Sequence, residues 1–492
     1  MPTPNFGRNI TLTPTSHFVP KDEGEVLAIL RQHRGKRIRC IGRLHSWSQI
    51  LECEDILLDL RHLKQVQIDA SHRRKIATVG SGCQIKRVLA KLKQSDLTLP
   101  SVGFITEQTI AGAISTGTHG SGRHSLSHYV TGIRIAKYDT VTGDALIEEI
   151  TDGDELLAAR CSLGCLGIIL AVTIECRPTY QVEEHFQKHD DLASVLAAET
   201  DFPLQQFYLV PWLWTYVAQH RKETIAPRSP LLPVYQWYRF IVFDLSMHLL
   251  ILLASRLIRF HRCIRLLFQR IIPRFVICNW RVTGDSSQQL VMEHERFRHV
   301  EIELFVQRSH LPTALEFLRS TLDAAGQSSE PLKSNYRMQL AEIGGEGSLS
   351  ELRGTYCHHY PICVRRILPD ETLISMACGL TPISSDSNGA NKDGLVDEDW
   401  YSITLTNYHS KTDLAAFERL SEFLANSMSK LFAARPHWGK LCPLPADQLR
   451  TLYPNFERFA AICTASDPNG FFANGWTESL FPRPLSQRAQ GE

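Results

Sequence analysis

The chain has 492 residues, more than one hydrophobic core ordinarily organises, so two domains are expected. Its 53 basic and 52 acidic residues leave a net charge of +1, which shows no nucleic-acid footprint. Thirteen cysteines without a C-x-x-C spacing, and a first segment without an apolar signal core, point to an intracellular protein, cytoplasmic or peripherally membrane-associated and not secreted.

Short strands and helices alternate from the start. Glu23 to Gln32 reads as a helix and Ile38 to Ile41 as a strand that turns at Gly42. His45, Ser46 and Ser48 then stand on a loop at the strand's end, a common place for ligand groups. Ile56 to Leu60, Gln65 to Ile68 and Ala77 to Gly80 read as strands, and Gln84 to Gln94 as a helix with an Ile85, Val88, Leu89, Leu92 stripe. Thr109 to Gly122 holds four glycines, three threonines, two serines and His119 around a short apolar run. Free N–H groups in such a turn form a concave anion site. The spacing of Gly117, Gly120 and Gly122 is not that of a Rossmann turn, and the chain has no P-loop, so a diphosphate here implies another architecture. Ile133 to Asp139 and Ala145 to Glu149 flank a turn as a hairpin, and Cys161 to Leu170 is a small-residue turn entering a strand.

The character changes at Pro178. Tyr238 to Ser255 is apolar but interrupted by Asp244 and His248, so a membrane span is not expected. Arg256, Arg259, Arg262, Arg265 and Arg270 among Leu, Ile and Phe then read as a basic amphipathic helix, and residues near 240–272 as a helix packed on its own protein, a peripheral membrane contact or a subunit contact. Arg298 to Val306, Tyr360 to Leu368 and Trp400 to Thr406 alternate as strands; Leu311 to Ala324 and Leu414 to Phe432 read as helices. That order suits an antiparallel sheet backed by helices. Pro382 to Asp399 reads as a loop. Cys357-His-His-Tyr-Pro-Ile-Cys363 lacks the second half of a zinc site, and His294, Glu295 and His299 are spaced one residue too far for a zincin helix.

Four segments, Gly42 to Ser48, Thr109 to Gly122, Cys161 to Leu170 and Arg435-Pro-His-Trp-Gly-Lys440, together resemble the aldonolactone oxidoreductases, flavoenzymes of the vanillyl-alcohol oxidase fold. The resemblance covers roughly residues 5–180 and 290–475. It implies an α+β fold: a PCMH-type FAD-binding domain at 1–180, an antiparallel-sheet cap at 181–434 with a basic insert near 230–280, and a segment at 435–492 that returns to the FAD site. FAD is then held by Gly42, Arg43, Leu44, His45 and Ser46, and by Thr109, Gly112, Ser115, Gly117, Thr118, His119, Gly120 and Ser121. Gly164, Gly167, Ile168, His437 and Lys440 complete the cofactor set, and His45 matches the position of a histidyl-FAD link.

The resemblance also implies the chemistry. Hydride leaves a substrate carbon for the flavin, the hydroxyl proton goes to a base, and a cation meets the charge growing on the flavin. Arg365 fits the family's strand arginine and Lys440 the lysine that hydrogen-bonds the reacting hydroxyl. The family's glutamate two residues before the arginine is Cys363 here, so the polyol contact is weakened or moved to an acid such as Glu301 or Glu303. The expected substrate is an aldonolactone or related polyol, with oxygen as acceptor. The alternatives are a quinone- or cytochrome-linked dehydrogenase of another alcohol or 2-hydroxy acid, and a catalytically impaired scaffold at a membrane.

Overall fold

The computed structural model describes residues 2–69, 71, 75–253, 261–291, 297–326, 334–379, 398–408 and 411–483. Besides the short pair Thr3–Pro4 with Thr11–Leu12, two sheets fill the first 178 residues. Ile56–Asp59 lies between Ser16–Phe18 and Ile38–Ile41, parallel to both. All four of its residues are buried, as the centre of a parallel sheet requires. The second sheet is antiparallel and runs Ala145–Ile150, Val130–Tyr138, Ile168–Pro178, Lys75–Gly80, Val66–Asp69. Helix Ile85–Lys93 buries Ile85, Val88, Leu89 and Leu92, the stripe expected of it.

Beyond Pro178 an eight-stranded antiparallel sheet forms the cap. Its order is Val282–Asp285, Gln181–His189, Thr215–Thr224, Gln206–Val210, Ile362–Ile367, Trp400–Tyr408, His299–Gln307, Arg435–Pro436. Helices Leu311–Gly326 and Lys411–Phe432 pack on it. The register sets one row across three strands, Cys363 opposite Thr404 and Thr404 opposite Glu303. Side chains two residues apart share a face, so Arg365 joins Cys363 and Glu301 joins Glu303.

The end of the chain then folds back. Helices Ala446–Leu452, Phe456–Ser466 and Gly475–Leu480 follow the cap. Asn474 Nδ2 donates to the carbonyls of Gln49 (2.9 Å) and Glu52 (3.0 Å). Buried Arg39 donates to the carbonyls of Phe472 (2.7 Å), Ile50 (2.8 Å) and Leu163 (3.0 Å). One guanidinium thus ties the C-terminus to two loops of the first domain.

Three segments differ from the sequence reading. Thr109–Gly122 is not wholly a loop, because Ile110–Ser115 is a short helix with Ile110, Ala113 and Ile114 buried. The strands Gln181–His189, Gln206–Val210 and Thr215–Thr224 escaped it, since buried Glu184, His185, Gln206, Gln219 and Arg221 blur their alternation. The apolar run is one helix, Leu232–Leu253, with π-helical turns over Phe240–Met247, and is followed by His261–Leu266 and Leu267–Ile271. Of the calls above, Arg256, Arg259, His294, Glu295 and residues 382–397 lie outside the described residues.

Candidate active site

Two cavities meet between the domains, and Gln108, His437 and Lys440 line both. The first has about 1060 Å³ of open space. Gly42, Arg43, Leu44, His45 and Ser46 line it on one side; Thr109, Gly112 and Ser115 on another; Gly164, Gly167 and Ile168 on a third. Its backbone is shaped for close approach. Leu44, Gly164 and Gly167 have φ of 58°, 74° and 142°, all left-handed. A Cβ on Gly42 would sit 2.2 Å from Thr109 Oγ1, so the two loops touch only because residue 42 is glycine.

Trp47 locks this loop to the rest. Its indole N–H donates to the His299 carbonyl (2.7 Å) and its backbone N–H to that of Gly439 (2.9 Å). Ser48 Oγ donates to the Trp438 carbonyl at 2.6 Å. Three remote segments therefore share one anchor. His45 stacks on Phe6 with centroids 4.5 Å apart. Burial, then the charges of His299, Lys440 and Arg43, lowers its pKa to about 3, so the imidazole is neutral at physiological pH.

Five residues assigned to the cofactor by resemblance do not line this first cavity. Thr118 and His119 line the second cavity. Gly117 packs on Met376, and a Cβ there would meet its Cε at 3.0 Å. Gly120 and Ser121 line a third, small cavity, where Ser121 Oγ donates to the Gln205 carbonyl. The helix over Ile110–Ser115 causes this, because it carries only the first half of the motif along that cavity. Sequence reading missed Gln108, Thr116, Ser81 and Phe472 of the same wall; single polar or aromatic residues outside a glycine-rich turn give no signal of their own.

The second cavity has about 1380 Å³ of open space and two chemically distinct ends. Lys440, His437, His119, Glu301, Glu303, Arg365, Cys363, Thr404 and Thr406 lie at the polar end. Lys440 Nζ pairs with Glu301 and lies 4.2 Å from the Trp47 ring centroid. Glu303 faces His119 Nε2 at 3.2 Å and Arg365 at 3.9 Å, and accepts from Thr404 Oγ1 at 2.9 Å. Arg365 Nε also donates to Gln206 Oε1 at 3.3 Å. Burial would raise the Glu301 pKa, but Lys440 and then His299 outweigh it and hold it at about 2. Glu303 is likewise held well below the carboxylate range against burial, chiefly by His119. His437 Nδ1 accepts from the Gly439 N–H at 3.0 Å, so the neutral ring carries its proton on Nε2. Burial, aided by Lys440, lowers the His437 pKa to about 3.

The ring nitrogens of His119 and His437 and the carboxylate of Glu303 converge within 4.8 Å of one another. The Cys363 thiol is buried and its pKa is pushed up, so it stays protonated and neutral. The carboxylates absent from residue 363 stand on the His299–Gln307 strand instead, Glu303 two strands away in the same row.

The other end of the second cavity is apolar: Phe186, Val210, Val217, Phe243, Met247, Ile272 and Val276 line it. Phe243, Met247, Ile272 and Val276 come from the helical insert, whose inner side is stapled to the cap. Tyr235 Oη donates to Glu184 at 2.7 Å, Arg239 approaches the same carboxylate at 3.3 Å, and Arg221 donates to it at 2.6 Å. His248 bonds Tyr408.

Comparison with known proteins agrees with this architecture. The D-arabinono-1,4-lactone oxidase family matches residues 172–480, and an FAD-binding domain family matches residues 14–143. A long-chain alcohol oxidase from an uncultured marine euryarchaeote is 51% identical over 97% of this chain and 96% of its own. An L-gulono-1,4-lactone dehydrogenase of Mycobacterium tuberculosis is 25% identical over 95% and 96%. The structure of cholesterol oxidase from Brevibacterium sterolicum superposes with a TM-score of 0.72 at 16% identity, covering 98% of this chain and 96% of that one. With its FAD-binding domain and antiparallel cap, the chain belongs to the D-arabinono-1,4-lactone oxidase family of the aldonolactone oxidoreductases, FAD-dependent oxidoreductases of the vanillyl-alcohol oxidase fold that act on CH–OH donors.

Proposed function

We propose that this protein oxidises long-chain primary alcohols to aldehydes, with FAD in the glycine-lined cavity and oxygen as the final acceptor. The carrying observation is the apolar cavity that opens onto the cofactor cavity at Lys440. An aliphatic tail fits among Phe186, Val217, Phe243, Met247 and Ile272, and its hydroxyl reaches the polar end. A sugar lactone would leave those side chains against water. Cys363 agrees, because an alkyl alcohol has one hydroxyl and needs no second carboxylate to read a polyol. The high identity to a protein named long-chain alcohol oxidase adds support.

When bound, FAD supplies the two-electron acceptor for the hydride leaving the carbinol carbon, and oxygen then takes two electrons and two protons as hydrogen peroxide. The chain's own residues do the rest. Lys440 donates to the alcohol oxygen and orients it, while His437, fixed as the Nε2–H tautomer, adds a second donor. Glu301, ionised and paired with Lys440, takes the hydroxyl proton as hydride departs. Arg365, held by Gln206 and Glu303, supplies fixed positive charge at the same end. The apolar walls hold the tail away from water.

Anaerobic bleaching of the flavin by primary alcohols of four to sixteen carbons, beside a panel of aldonolactones and alditols, tests the assignment. Long alcohols should bleach it fastest. Faster reduction by a lactone would overturn the reading and restore the sugar-derived substrate.

We also assign His45 as the covalent tether to FAD. Its neutral ring has a lone pair to offer, Phe6 holds it by stacking, and the left-handed Leu44 sets the loop. Acid precipitation should leave yellow colour in the pellet, and His45→Ala should move it to the supernatant. Free FAD from the unaltered protein would refute the link.

A further inference from the structure

The insert that roofs the apolar cavity also presents, among the described residues, an apolar outer face. Fifteen large hydrophobic side chains are exposed among the described residues, and eleven lie between Ile225 and Ile277. Val234, Trp237, Ile241, Leu249 and Leu253 repeat at helical spacing along Leu232–Leu253, a ridge on the side away from Tyr235, Arg239 and His248. Trp237 is 64% exposed and Leu249 51%. The following segment continues the surface with Leu266, Ile271 and Phe275, interleaved with exposed Arg262, Arg270 and Arg274. The two segments are bonded together, since Tyr238 Oη donates to the Phe275 carbonyl and accepts from the Ile277 N–H, both at 2.8 Å.

Leu232–Leu253 is long and apolar enough to cross a bilayer by composition. Its bonds to Glu184 and Tyr408 hold it flat on the cap instead, which a spanning helix does not allow.

We propose that this face docks on an anionic lipid bilayer and that the insert passes alcohol from the bilayer directly into the active-site cavity. The proposal rests on the long-chain alcohol reading above and names the partner of that site. Three observations carry it. The same insert presents Phe243, Met247, Ile272 and Val276 to the cavity and Trp237, Ile241, Leu249 and Phe275 outward, so two apolar surfaces lie back to back across one layer of chain. Arginines among the outward apolar residues match anionic headgroups, whereas two copies of this face would oppose their arginines. Exposed Trp237 suits the headgroup level.

Flotation of the FAD-loaded full chain with phosphatidylcholine vesicles, alone or with phosphatidylglycerol at a 7:3 ratio, tests this. Partition should be at least about tenfold higher on the anionic vesicles and should fall in high salt. Trp237→Ser with Leu249→Ser should abolish flotation and leave reduction by dissolved octanol within about twofold. Its turnover of hexadecanol carried in vesicles should drop at least about tenfold. Absent flotation, equal flotation on neutral vesicles, or equal flotation of the double variant would overturn the proposal. A dimer in sedimentation that the double variant dissociates would assign the face to a second copy and also overturn it. Failure of octanol to bleach the flavin would refute the substrate reading instead, a result independent of flotation.

Discussion

The two cavities that meet at Lys440 are built in opposite ways. Backbone makes much of the first: two turns bring the left-handed Leu44, Gly164 and Gly167 to one surface beside the small residues of the Ile110–Ser115 helix. Side chains make the second, offered by cap strands and by the insert. On the function proposed above, the first sets the electron chemistry and the second sets which molecule supplies the electrons. A family resemblance carried by glycines therefore transfers the cofactor well and the substrate poorly. The Lys440–Glu301 pair stands where the two meet, so breaking it should stop the reaction and leave both cavities intact.

Lys440→Ala is accordingly expected to have the largest effect. General acid–base groups contribute about 10²- to 10⁴-fold, and flavin reduction should slow by that order while FAD stays bound. Stopped-flow bleaching with a saturating alcohol measures it. Glu301→Gln should cost about as much, and the double variant little more, because the pair acts as one unit. Additive losses would separate the two residues and remove the proton-transfer role from Glu301.

The next largest effect should come from the apolar side and should spare the chemistry. Each buried methylene contributes about 0.8 kcal/mol, roughly a fourfold gain in kcat/KM per carbon until the tail fills the cavity. Met247→Trp shortens that space and should raise KM for hexadecanol about tenfold, with octanol kcat unchanged. A series of alcohols on both proteins checks this, and a flat chain-length profile would show that the tail lies outside the cavity.

How much of this was legible beforehand follows the same division. The Gly42–Ser48 and Gly164–Ile168 turns were readable because they need particular residues at particular positions. His437 and Lys440 were readable through a tetrapeptide. Glu301 and Glu303 appeared only as possible acids, since the place of Glu301 beside Lys440 comes from pairing the His299–Gln307 strand with Arg435–Pro436, a contact about 130 residues away. Gln206, which holds Arg365, lies on a strand whose alternation its own burial disguises. The insert was legible as amphipathic, but its inner apolar face gave no hint that it walls a cavity, because core and pocket linings have the same composition.

A smaller, distributed effect is expected from pH. His220 and His437 are buried and held at about 3, below the ordinary 6.5, burial being the main cause for each. Between those values the unfolded chain binds protons that the folded chain excludes. Their contribution to stability is thus complete above 6.5 and is lost as pH falls, by up to about 1.4 kcal/mol per pH unit for each. Glu301, held at about 2, has the same sign in a lower window, from the ordinary carboxylate value of 4.5 down. Denaturation of the holoenzyme between pH 7.5 and 5.5 should therefore show the histidine slope alone. His437→Asn should lessen it, and Glu301→Gln should leave it as it was.

Cys363 should give the smallest effect. If the residue replaced a carboxylate merely by loss, its thiol would be a defect and a polar substitute would help. If the cavity was recast for an alkyl substrate, the thiol is simply a small neutral wall beside the reacting end. Burial keeps it protonated, so it adds no charge to a site that already holds two carboxylates. Cys363→Ser should then change kcat/KM for dodecanol by less than about threefold, since a hydroxyl of similar size replaces a weakly polar group. Cys363→Glu is the sharper half of the comparison. It puts a third acid near Glu301 and Glu303, where like charges raise one another's pKa, and it should depress long-chain oxidation well beyond the serine variant without creating lactone turnover, because the apolar walls from the insert remain. Lactone oxidation by the glutamate variant would locate substrate choice at residue 363 rather than in the insert.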